Sequence, residues 1–181
     1  MRRSIFLAVV FFLISQLAMS TGGLAMQITT PAYQHQEQIP KKYVMPGAGG
    51  DNASVPFSWS GAPADTKSFA LSMIDPHPVA NNWIHWLVIN IPADVTSLDE
   101  GASGSSMPAG AKELANSFGK PGYGGPQPPK GTGEHPYVTT VYALSVESLD
   151  LGDKASLDEF KSALEGKVLD QAEVTGVFEQ K

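Results

Sequence analysis

Glycine and proline interrupt this chain so often between residues 27 and 144 that the apolar runs left between them are short, and several alternate apolar with polar residues. Runs of that length and period form strands, so the sequence predicts a mostly β fold. The clearest strands are Phe69 to Ile74, Ile84 to Asn90 and Tyr137 to Leu144. Strict alternation along the second puts Ile84, Trp86 and Val88 on one face and His85, Leu87 and Ile89 on the other. Large apolar groups on both faces need cover on both sides, which places this strand in the middle of stacked sheets. Helical signals are confined to later segments. Ser156-Leu157-Asp158-Glu159 has the capping-box form and is followed by Phe160 and Leu164 at helical spacing, so a helix is expected from about 156 to 165, ending at Gly166. A second short helix is expected over Val168 to Glu173 and a closing strand at Val177-Phe178. Residues 92–136 are rich in Gly, Pro and Ser, with one short helical segment expected around Ala111 to Ala115; long loops of this kind in a compact domain are usually functional.

The first residues read as a secretory signal: Arg2 and Arg3 form the charged region, Ile5 to Ile14 the apolar core, and small residues follow, with cleavage expected after Ser20 or Ala25. The apolar run falls short of the ~20 residues that span a bilayer, so the mature form is expected to carry no transmembrane span and to be periplasmic or secreted from a bacterium. Residues 26–181 then form one domain of ordinary size. The chain has no cysteine, which rules out disulfide staples, a thiol nucleophile and a zinc–thiolate site. Loss of Arg2 and Arg3 takes the formal charge from -6 to -8 and leaves ten lysines but no arginine. Arginine is the usual bidentate clamp for phosphate and carboxylate. Any anion held here must therefore rely on backbone N–H groups, histidine, a tyrosine hydroxyl or lysine. An acidic surface also argues against nucleic acid as a partner.

Strand parity then singles out four polar residues. Phe69, Leu71, Met73 and Asp75 share a face, which sets a carboxylate at the inner rim of a strand end; His85 lies with Leu87 and Ile89; His135 and Tyr137, two apart, point the same way with Pro136 opposite. Buried polar side chains need partners, so an Asp, two His and a Tyr directed inward are expected to be neighbours or to share a ligand. Asp75 before Pro76 also suits an Asx turn. Beside them runs the loop from Gly122 to Gly131, whose glycines permit close backbone approach and whose prolines set its shape in advance.

The chain resembles the phosphatidylethanolamine-binding proteins, specifically the bacterial branch described as Raf-kinase-inhibitor-like. The matching segments are Asn52 to Gly61, Asp75-Pro76-His77-Pro78, Trp83-Ile84-His85-Trp86, Asn116-Ser117-Phe118-Gly119 and Gly125 through Tyr137, in order and spacing across nearly the whole mature chain. The resemblance implies a β-sandwich of two packed antiparallel sheets with short C-terminal helices and a small anion pocket at the strand ends. It implies that Asp75, His85, His135 and Tyr137 line that pocket, that Trp83, Pro128 and Pro129 shape its walls, and that Gly125 and Gln127 contribute to ligand binding. Three departures stand out. His77-Pro78-Val79 replaces the usual Asp-Ala-Pro after Asp75-Pro76, Pro136 replaces an arginine between His135 and Tyr137, and Ser117 stands where bacterial relatives usually carry an aspartate that serves a loop hydrogen bond.

The function expected on these grounds is that of an exported protein that binds a small anion or a phosphorylated or carboxylated head group and modulates or inhibits a partner enzyme, a protease or kinase. Without arginine, binding is expected to be weaker and less selective for phosphate. The alternative is an acid–base hydrolase or lyase built on the same Asp, His, His and Tyr, but no Gly-x-Ser-x-Gly elbow or other nucleophile signature accompanies them. No catalytic residue, cofactor or metal is assigned. Two His and one Asp do match the donor set of a facial metal triad, although the three come from separate segments. A homodimer is the expectation drawn from bacterial relatives, with Phe118 and Tyr123 as candidate interface residues.

Overall fold

A computed structural model describes residues 25–181, so the signal segment lies outside the described residues except for its last residue under the later cleavage site. Among the described residues, eight strands, one α-helix and two short 3-10 helices (Lys41–Tyr43 and Pro46–Ala48) make up the regular structure. Three short strands, β1 (Gln27–Thr29), β2 (Phe57–Ser60) and β5 (Ser97–Leu98), form one antiparallel sheet in the order β1-β2-β5. The other sheet has the order β6-β4-β3-β7-β8 and is antiparallel throughout; it contains β3 (Ser68–Asp75), β4 (Trp83–Pro92), β6 (Lys112–Glu113), β7 (His135–Leu144) and β8 (Val168–Phe178). Helix α1 (Leu157–Leu164) covers the outer face of the larger sheet.

The larger sheet is therefore covered on both faces, as the two-faced apolar pattern of the second strand requires. Phe57 and Trp59 from the small sheet meet Phe69, Leu71, Trp86 and Val141 in one core. Beneath α1, Phe160 and Leu164 pack on Ala70, Leu87 and Ile89 in a second. The centre of the sheet is β3 rather than β4, which lies one strand from the edge.

Strict alternation fails along β4 at two irregularities. Met73 pairs with Trp86 and Ile74 with Ile84, so His85 is an extra residue in β4. A bulge of this kind turns two successive side chains toward one side. His85 consequently lies beside Tyr137 on the inter-sheet face, while Ile84 packs with the α1 side; parity alone had assigned them the other way round. The second irregularity is at Asn90, held at φ 60°, which lets both Val88 and Ile91 reach the inter-sheet core.

Two helical expectations are overturned. Lys112 and Glu113 in the 111–115 segment pair with Ile89 and Val88 as an edge strand. The Glu113 carboxylate accepts from the Trp86 indole N–H at 2.7 Å, from Ser103 Oγ at 2.6 Å and from Gly104 N at 2.8 Å, contacts that a helix would misdirect. Residues 168–173 belong to β8, which runs antiparallel to β7 from Leu144↔Val168 to His135↔Phe178 and absorbs the short closing strand expected at Val177-Phe178. Long-range pairing here outweighs local helical spacing: one segment joins the edge of β4 and the other the edge of β7, and strand formation depends more on such context than on local preference. The C-terminal helices reduce to α1 alone, whose Ser156 Oγ accepts from Glu159 N while the Glu159 side chain accepts from Ser156 N.

Phe160 is fully buried and packs edge-on against Tyr142 at 6.0 Å. Phe160→Ala should therefore lower stability by about 3–5 kcal/mol, read as a lower urea midpoint at unchanged slope. The inter-sheet face lies on the far side of the sheet and should be undisturbed.

Candidate functional site

Asp75 ends β3 with its carboxylate 3% exposed, and both of its oxygens are committed. Oδ1 accepts from His77 N at 2.9 Å, closing the Asx turn expected before Pro76. Oδ2 accepts from His135 Nδ1 at 2.6 Å, tying the end of β3 to the first residue of β7. His135 is itself wholly buried, and its Nε2 lies 2.9 Å from Thr132 Oγ1, which also donates to the Pro129 carbonyl at 2.7 Å. His77 covers this pair from above: its ring stacks on His135 at 3.8 Å with an interplanar angle of 21°. The substituted residue of the Asp-Pro-His-Pro segment is thus packed against His135, behind the residues that line the cavity.

The bulge brings His85 to the same place from β4. Its Nδ1 donates to the Gly124 carbonyl, and its ring meets Tyr137 edge-on at 4.9 Å. Burial penalises the charged imidazolium and holds His85 down at about 4, against the opposing pull of the Gly124 carbonyl and the Asp75 carboxylate. The ring is neutral at neutral pH, with its proton on Nδ1. Tyr137 is also buried, and its hydroxyl has no hydrogen-bond partner among the described residues. Desolvation, and then the charge of Asp75, raise its pKa well above the ordinary phenol value.

These side chains floor a cavity of about 250 Å³ lined by Asp75, Val79, Ala80, Trp83, His85, Phe118, Gln127, Pro128, Pro129, His135 and Tyr137. That is smaller than the roughly 300–1,000 Å³ of sites for drug-sized ligands, so it suits a head group or a small acid. Its walls are mostly apolar. Phe118 sets its ring against Trp83 at 5.3 Å and His85 at 6.0 Å. Asn116 Oδ1 fixes Phe118 by accepting its N–H at 2.9 Å, and Ser117 Oγ accepts from Ile84 N at 2.8 Å, so serine supplies the loop acceptor at the position where relatives usually carry aspartate. No lysine lines the cavity, and Asp75 is its only carboxylate.

Eight of the nine binding residues expected from the sequence line this cavity, and Gly125 does not. Its N–H goes to Asn52 Oδ1 at 2.7 Å, and a Cβ at this position would lie 2.1 Å from the Tyr43 carbonyl oxygen. Gly125 therefore lets the loop press against the 43–52 segment. Tyr123 is likewise a core residue rather than an interface one, packed on Trp86 with its hydroxyl donating to the Tyr43 carbonyl at 2.8 Å. Val79 and Ala80 were not legible as wall residues; Phe118 was signalled only by its place in Asn-Ser-Phe-Gly. Among the described residues, no three His, Asp or Glu side chains are grouped so as to hold a metal ion.

The match to known proteins covers this whole unit. The family model for phosphatidylethanolamine-binding protein matches residues 29–179. The chain belongs to the phosphatidylethanolamine-binding protein family. Within the family, it is 37% identical to the UPF0098 protein YbcL of Escherichia coli K12 over 171 residues, covering 91% of this chain and 93% of that one. A UPF0098 protein of Aquifex aeolicus is 38% identical over 161 residues, covering 89% and 92% of the two chains. The crystal structure of E. coli YbcL, described as a new member of the mammalian PEBP family, superposes with a TM-score of 0.82 at 38% identity, covering 87% of this chain and all of the other.

Because His85 titrates from its ordinary 6.5 down to about 4 on folding, the unfolded chain binds more protons than the folded one between those values. Stability attributable to His85 is thus complete above pH 6.5 and is lost as pH falls toward 4, at about 1.4 kcal/mol per pH unit at most. His85→Gln should flatten the acid limb of a urea-midpoint profile across that window and leave the profile above pH 7 parallel to the wild type.

Proposed function

We propose that this protein is an exported binding module whose pocket at Asp75, His85, His135 and Tyr137 captures a small anion or a phosphorylated or carboxylated head group, and that occupancy modulates or inhibits a partner enzyme. The observation that carries the reading is the unpartnered, buried hydroxyl of Tyr137, a residue that lines the cavity beside His85. A buried donor left without a partner costs about 1–3 kcal/mol, which a ligand oxygen would recover. The Asp75–His135 pair, with both oxygens and both ring nitrogens committed within the protein, is a rigid support for such a ligand rather than a group free to react with it. The partner enzyme is inferred from the family resemblance, and export from the N-terminal signal pattern.

A second reading as an acid–base hydrolase draws on one observation. Thr132 Oγ1, His135 Nε2 and Asp75 Oδ2 lie in a chain of 2.9 and 2.6 Å contacts, which is the order of groups in a hydroxyl nucleophile triad. Against it, the Thr132 hydroxyl donates to the Pro129 carbonyl and does not line the cavity. Binding is the better supported role.

Isothermal titration of phosphate, phosphoethanolamine and acetate into the purified mature protein is the direct test. At least one should bind with millimolar or tighter affinity, and His135→Ala, which strips Asp75 Oδ2 of its donor, should weaken it at least tenfold. Absence of heat with all three, or identical binding by the variant, would sink the proposal. Turnover of a p-nitrophenyl ester or phosphoester panel that is lost in Thr132→Val would favour the hydrolase instead.

A further inference from the structure

Resting on the binding role proposed above, the polar atoms of the pocket can be counted one by one. Asp75 Oδ1 and Oδ2 are occupied by His77 N and His135 Nδ1. His135 Nε2 is occupied by Thr132. The Gly124 carbonyl can only accept, so His85 Nδ1 must carry a proton and donate it. In the neutral ring Nε2 is then a bare lone pair. Gln127 lies at the exposed mouth with its amide over Gly47, where an added Cβ would fall 2.6 Å from Nε2 of the amide. Two buried atoms remain for a ligand, His85 Nε2, an acceptor, and the Tyr137 O–H, a donor; the indole N–H of the partly exposed Trp83 wall is a further donor.

A deprotonated carboxylate or phosphate dianion offers acceptors only. It satisfies Tyr137 but turns its lone pairs on the lone pair of His85, inside walls built from Trp83, Phe118 and Pro128 that weaken solvent screening. A carboxylic acid, a primary amide or a P–OH group offers one donor and one acceptor side by side and satisfies both. We propose that the pocket takes its ligand in a proton-bearing form: an acid binds together with one proton held between its oxygen and His85 Nε2, and a neutral amide of the same shape binds without one. The proton comes from solvent, and no covalent bond changes.

The groups facing His85 set how far this holds. Asp75 from β3 favours a proton on His85, His135 from β7 opposes it, and Tyr137 from β7 stays neutral; His77 reaches the group only through its stack on His135, and the loop carrying Phe118 and Gly124 adds no charge. With the imidazole held down at about 4 in the empty pocket, the extra proton is absent at neutral pH until a ligand supplies the second partner for it.

The test uses the mature wild-type protein with acetate and acetamide as probes between pH 5.5 and 8. Chemical-shift titration should show acetate affinity rising about tenfold for each unit fall in pH, the slope that uptake of one proton dictates, while acetamide affinity stays flat. Calorimetry in buffers of different ionisation enthalpy should give one proton taken up per acetate and none per acetamide. Nitrogen-15 shifts of the His85 ring should show a bare Nε2 in the free protein and a proton-sharing Nε2 only with acetate. His85→Phe should remove the pH slope for acetate. Acetate bound with no proton uptake, or acetamide rejected while acetate binds, overturns this inference and leaves the anion-binding role standing. Failure of acetate, acetamide and phosphoethanolamine alike to bind overturns both.

Discussion

The Asp75 carboxylate is the constraint on which the site depends. It is buried at the end of the central strand, where an unpaired charge is severely penalised. Its two oxygens bind two different parts of the chain, the turn at His77 and the first residue of β7. That double use sets the register at which β3 and β7 terminate, orients the His135 ring, and gives His77 a flat surface on which to stack. Alanine at this position would remove both acceptors at once. Such charge-assisted bonds are also the strong class of hydrogen bond, so the support is stiff where a recognition site needs stiffness.

Much of this was legible from the residue pattern, and the reasons for the gaps are physical. The inward set Phe69, Leu71, Met73, Asp75 and the pair His135, Tyr137 follow from period-2 alternation, because β3 pairs with β7 without interruption from Ser68 to Ile74 and β7 with β8 without interruption from His135 to Ala143. The face of His85 does not follow, because a bulge depends on how two strands are paired and leaves no local mark in Trp-Ile-His-Trp. The helix expected over 168–173 fails for a related reason: the spacing of apolar residues there fits a helix, but β7 offers an unpaired edge that the segment fills. Gly125 was drawn into the binding set by its motif, whereas its backbone spends its freedom on packing against Tyr43. Whole-chain similarity to family members recovers the fold and the position of the cavity, and cannot by itself sort a lining residue from a hinge of the loop behind it.

The loop that closes the pocket shows how a cysteine-free domain holds a long irregular segment in place. Met45 N donates to the Pro126 carbonyl at 3.1 Å, Gly125 N to Asn52 and Tyr123 Oη to the Tyr43 carbonyl, so the 122–131 segment is sewn to residues 43–52 by backbone and buried side-chain bonds. The opposite wall is carried by Asn116, whose amide donates to the Gly122 carbonyl at 2.8 Å while its oxygen caps Phe118. Gly124 makes the two meet: a Cβ there would fall 2.6 Å from the Phe118 ring. The same close approach delivers the Gly124 carbonyl to His85. Loop fixation and histidine tautomer are therefore one structural event.

This coupling changes what the absence of arginine from residues 26–181 means. In a site read by a guanidinium, permanent positive charge would make affinity follow ligand charge, so a dianion would outcompete a monoanion. Here residues 26–181 carry an excess of acidic residues, the cavity has no lysine, and its free histidine nitrogen is a lone pair fixed by the loop. On the proton-bearing mode of binding proposed above, direction would replace charge as the basis of recognition: a ligand would be selected by the placement of one donor beside one acceptor, and small acids and their neutral isosteres would enter in preference to the polyanions that a guanidinium site favours.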